Sequence, residues 1–103
     1  MIGLKPGVTP RGIQPELVLG LMIADGVYAR NHCPMTVTAL TDGKHMAGSR
    51  HCKGQAADVR TRDISFPLLD VIVRELKEAL GTDYDVVLED SHIHLEYQEH
   101  GTK

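Results

Sequence analysis

A chain of 103 residues suits one domain with one modest core and leaves no room for a second independent unit. With 42% hydrophobic and 24% charged residues it has the composition of a globular protein, not a disordered one. A net charge of -3 argues against a nucleic-acid binder, and no apolar stretch approaches the roughly 20 residues that cross a bilayer.

Residues 1–14 contain Pro6, Gly7, Pro10 and Gly12 and read as an extended arm with turns. Pro15 and Glu16 suit a first helical turn, and Leu17, Leu21 and Val27–Tyr28 form an apolar stripe, so a helix is expected at about 15–31. Gly20 and Gly26 weaken that helix, and close packing against another element would account for them. After Pro34, Met35 to Leu40 is rich enough in β-formers for a strand. Thr41 to Gly54 is polar and glycine-containing, a long loop of the kind that often carries function.

Gln55 to Thr61 alternates as a strand does. Ser65 is the expected N-cap of a second helix over about 66–80, with Leu68, Leu69, Ile72, Leu76, Ala79 and Leu80 at helical spacing and Gly81 as its stop. Two short strands follow, Tyr84–Glu89 and His92–Tyr97, and residues 98–103 read as a polar tail. A two-residue turn at Asp90-Ser91 would set Glu89 opposite His92, Leu88 opposite Ile93, Val86 opposite Leu95 and Tyr84 opposite Tyr97. One face of that hairpin is then apolar, and the other carries Glu89, His92, His94 and Glu96. A slip of one residue would bury the histidines and expose the aliphatics.

Two smaller features have ordinary readings. Two cysteines are too few for a disulfide scaffold: Cys33 reads as a small buried residue before a strand, and Cys52 merely follows a candidate ligand. Lys44, Arg50, Lys53, Arg60 and Arg62 make a loose basic run, read as a solvated loop.

Six histidines in 103 residues is a high count, and His45, His51, His92 and His94 fall in two short segments. Imidazole and carboxylate together suit zinc, whose catalytic sites typically keep three protein ligands and one open position. His51 and Asp58 supply two ligands across a turn at Gly54, where small Ala56 and Ala57 let the backbone pass close. The third comes from His92-Ile-His94, whose two imidazoles share a face about 6.6 Å apart. Glu89, opposite His92, is placed to take a proton from the attacking water.

At this point the chain resembles a known family. Ser49-Arg-His51-Cys-Lys-Gly54-Gln-Ala56-Ala-Asp58 fits the S-x-H-x-x-G-x-A-x-D pattern of the D-alanyl-D-alanine metallopeptidases, and Glu89-Asp-Ser-His92 fits their E-x-x-H. That family includes vancomycin-resistance dipeptidases and carboxypeptidases and several phage endolysins. The resemblance implies an α+β fold with a small, mostly antiparallel sheet, flanking helices and a zinc cleft on the sheet face. It implies zinc bound by His51, Asp58 and His92, Glu89 as catalytic base, and a peptidoglycan peptide as substrate, cut as by a D-Ala-D-Ala carboxypeptidase or an L-Ala-D-Glu endopeptidase.

Relatives commonly place an arginine upstream of the first motif to steady the substrate, and Thr38 to His45 has no such match. Lys44 or His45 would serve there, with Ser49 nearby in the motif. His94 is the alternative to His92 as ligand, and otherwise a group beside the ligands or the substrate. The competing class is a zinc-binding domain without peptidase activity; a zinc deaminase would need a Cys-x-x-Cys, which is absent. The first residues lack a charged segment followed by an apolar run, so no signal peptide is expected, and action on the cell wall would need release from the cytoplasm.

Overall fold

The structure, a computed structural model, describes residues 2–41 and 53–98. Two helices pack against one face of a five-stranded sheet. The strands are β1 (Ile2–Leu4), β2 (Met35–Ala39), β3 (Ala56–Arg60), β4 (Tyr84–Leu88) and β5 (His92–Tyr97), in the order β1-β2-β3-β5-β4. Only β1 and β2 run parallel; the other three pairings are antiparallel. The expected α+β class with a mostly antiparallel sheet therefore holds. The extended arm contains β1, whose register Ile2↔Met35 to Leu4↔Val37 binds it to the sheet.

Helix α1 (Pro15–Arg30) begins on the expected proline and buries Leu17, Leu21, Ala24, Val27 and Tyr28. The glycines within it differ. A Cβ on Gly20 would lie 2.6 Å from the Tyr84 ring, so close packing explains that one, whereas a Cβ on Gly26 would meet nothing within 4 Å. Helix α2 (Leu68–Leu80) starts two residues later than expected. Ser65 gives no side-chain cap; its carbonyl accepts from Leu69 N–H, and Pro67, after a cis bond from Phe66, occupies the N-cap. The buried stripe is Leu69, Ile72, Val73, Leu76 and Leu80, with Ala79 exposed, and Gly81 ends the helix at φ 75°.

The helices cover a sheet face made of Met35, Val37, Ala57, Val59, Val86, Ile93 and Leu95. Strand alternation turns Thr36, Thr38, Asp58, Arg60, His92, His94 and Glu96 to the opposite face. The hairpin pairs as its residues require: Leu88↔Ile93, Val86↔Leu95 and Tyr84↔Tyr97. Leu88 departs from expectation in being 40% exposed, because it sits at the turn end of the hairpin. No helix among the described residues is long and apolar enough to cross a membrane.

Candidate metal centre

Asp58 is the hub of the open sheet face. It lies in the middle of β3, between Ala57 and Val59, which the helices bury, so its side chain must project the other way. β5 brings His94 directly opposite Asp58 and His92 opposite Arg60. His94 Nδ1 lies 3.0 Å from Asp58 Oδ1, and His92 Nε2 lies 3.6 Å from the same oxygen. All three side chains are partly buried.

Each imidazole is held from behind. His92 Nδ1 meets Ser91 Oγ at 3.2 Å, which leaves Nε2 toward Asp58. His94 Nε2 meets Glu96 Oε1 at 3.0 Å, and Gln98 Nε2 donates to the other Glu96 oxygen. Carboxylate contact on both nitrogens favours imidazolium: hydrogen bonding to Asp58 raises the His94 pKa to about 9, against burial, with Glu96 adding to the rise. The Asp58 main chain is also fixed, its carbonyl accepting from Thr38 Oγ1 at 3.3 Å where the β2–β3 register shifts.

These donors fit zinc chemically. Two donors of one tetrahedral ion at about 2.0–2.1 Å stand roughly 3.3 Å apart, and the two Asp58–imidazole separations bracket that value. A carboxylate on the far nitrogen, as Glu96 provides to His94, is the usual support of a ligating histidine. Among the described residues no three such side chains close into a finished metal cage. His51, Lys44, His45 and Ser49 lie outside the described residues.

Glu89 follows β4, and its N–H donates to His92 O at 2.8 Å, the pairing expected across the turn. Its side chain is exposed. Beside Asp58 and His92 opens a cleft of about 450 Å³, with Thr38, Lys5, Arg60 and Arg62 on its walls. Reading the sequence missed Lys5; strand alternation put Arg60 on the face of Asp58, but Arg60 and Arg62 were given no role beyond a solvated basic run.

The return of the chain toward Asp58 is set by Gly54. Its φ is 73°, its carbonyl accepts from Gln14 N–H at 2.8 Å, and a Cβ there would collide with Gly12 O and stand 2.9 Å from Ile13 Cα. Gln14 Nε2 donates to Lys53 O at 3.3 Å, and Thr41 Oγ1 donates to Arg11 O at 2.7 Å. The turn at 11–14 thus grips both the point where the chain leaves β2 and the point where it comes back to β3. No family model, curated protein or solved structure matches this chain.

Proposed function

We propose that this chain is a zinc-dependent peptidase that hydrolyses a peptide bond in peptidoglycan stem peptides. The observation that carries the reading is the convergence of His92 and His94 on one oxygen of Asp58 beside a cleft. Asp58 and His92 belong to the two sequence motifs, and the resemblance of those motifs to D-alanyl-D-alanine metallopeptidases supplies the substrate class.

His51 and Asp58 would hold the metal with one imidazole of β5. The sequence spacing from Glu89 speaks for His92. The direct register with Asp58 and the Glu96 carboxylate behind the ring speak for His94. On the geometry His94 is the better supported ligand, with His92 then facing the substrate cleft. Zinc content of the two single alanine variants separates the assignments: the ligand variant loses the metal, and the other retains it.

When bound, zinc supplies Lewis acidity toward the scissile carbonyl and lowers the pKa of the attacking water to about 7. Glu89 would act as the general base, taking a proton from the attacking water and returning it to the leaving amine. With His94 as the ligand, His92, fixed through Ser91, would serve as a donor to the developing oxyanion.

Cleavage of a wall-derived peptide, followed by mass spectrometry, tests the reading. Glu89→Gln should cost about 10²- to 10⁴-fold in rate, and chelation should abolish cleavage until zinc is restored. Equal cutting by wild type, variant and chelated protein would discard it. The exposed Glu89 side chain supports a second reading, a zinc-binding domain without peptidase activity. That domain would melt far lower in chelator and cut nothing in either state.

A further inference from the structure

The geometry points to a carboxylate-binding wall in the cleft, formed by Lys5, Arg60 and Arg62, which selects peptides carrying a free carboxylate close to the group held at Asp58. The three cations come from two ends of the fold, Lys5 just past β1 and the arginines from β3 and just beyond it, yet all line one concavity. The whole chain carries -3, so this concentration of positive charge is local and not the by-product of a basic protein.

Among the described residues little else uses these charges. The ion pair of Arg60 with Asp63 is 3.9 Å long, and the Asp63 side chain is 66% exposed, a weak and screened contact. Lys5 and Arg62 have no ion pair among the described residues. The backbone of Lys5 is nonetheless anchored, its N–H donating to Val37 O at 2.9 Å, so the base of the side chain is fixed beside the cleft it lines. Arg60 is only 22% exposed and sits opposite His92, on the Asp58 face of β3. A planar guanidinium in a partly desolvated wall matches a carboxylate with two parallel hydrogen bonds. Concave walls also strengthen the field over that on a flat surface.

Spacing sets the reach. Along β3, Arg60 stands about 6.6 Å from Asp58, which corresponds to two residues of an extended ligand, and Arg62 continues the wall past the end of the strand. The carboxylate is therefore a chain terminus or an acidic side chain about two residues from the reacting carbonyl. The inference rests on the proposed function only in placing that carbonyl at Asp58.

The test is binding, in full-length zinc-loaded chain carrying Glu89→Gln so that every probe survives. Titration calorimetry would compare N-acetyl-D-alanyl-D-alanine with its C-terminal amide, and N-acetyl-alanyl-D-glutamate diamide-type probes with and without the free side-chain carboxylate. At least one acid should bind about tenfold tighter than its neutral partner, and which pair does so names the source of the carboxylate. Arg60→Gln should remove most of that preference, Arg60→Lys should restore part of it, and Lys5→Gln with Arg62→Gln should reduce it about threefold. Circular dichroism checks folding, and should Arg60→Gln unfold the chain, the exposed Lys5 and Arg62 pair carries the decision. Equal binding of acids and neutral partners, or a preference that survives these substitutions, overturns the inference. A failure to cleave any peptide would sink the peptidase reading and leave this preference standing.

Discussion

Gly20 and Gly26 lie six residues apart in one helix and have opposite consequences. The Tyr84 ring that meets Gly20 is pinned, its hydroxyl donating to Glu16 O at 2.6 Å and its ring edge-on to Tyr97 at 5.4 Å. Gly20→Ala must displace that ring and should cost about 1–3 kcal/mol, read by urea unfolding. Gly26→Ala meets open space in a helix interior and should gain about 0.5–1 kcal/mol in the same assay. His94 offers a second residue-scale prediction, for the chelated protein. Its folded pKa of about 9 lies above the ordinary 6.5, so the stability it contributes is complete below about pH 6.5 and fades as pH rises through 9. Urea midpoints across that window should fall for the chelated wild type and stay flatter for His94→Gln. The sequence could mark both glycines as anomalous, but only the packing of Tyr84 tells them apart, because that contact joins residues 20 and 84.

At the scale of elements, the register of the β4–β5 hairpin was legible from period-two alternation, since one register alone buries Val86, Ile93 and Leu95 and turns His92 and His94 to the opposite face. The start of α2 was not. Ser65 carries the right side chain for a cap, yet Pro67 and the chain path around it move the first turn downstream. The meeting of β3 with the 11–14 turn was half legible: Gly54 signalled a turn, but not that another backbone passes against it. Gly54→Ala brings both a positive φ and a backbone collision, and should cost roughly 2–4 kcal/mol. Urea unfolding checks the magnitude. Zinc retention by the folded fraction should fall with it, because Gly54 lies between His51 and Asp58.

For the whole molecule, the α+β class was what the family resemblance implied and the expected helices and strands agreed with it, while the strand order did not follow from them. β1 joins the sheet in parallel from within an arm of prolines and glycines, and β5 inserts between β3 and β4. Both are pairings between distant segments that local periodicity does not encode. The division of the sheet into a helix-covered face and an open face is what gathers Asp58, His92, His94 and the cationic wall on one side. The grip of residues 11–14 on Thr41 and on Lys53–Gly54 adds a consequence for change over time. The two ends of the intervening segment are held at fixed places by hydrogen bonds that do not involve its interior. Doubling its length would then add only about 0.6 kcal/mol of closure entropy. The segment that carries His51 is thus a cassette: selection can change its length and sequence, so long as it returns the histidine, while the sheet keeps its register.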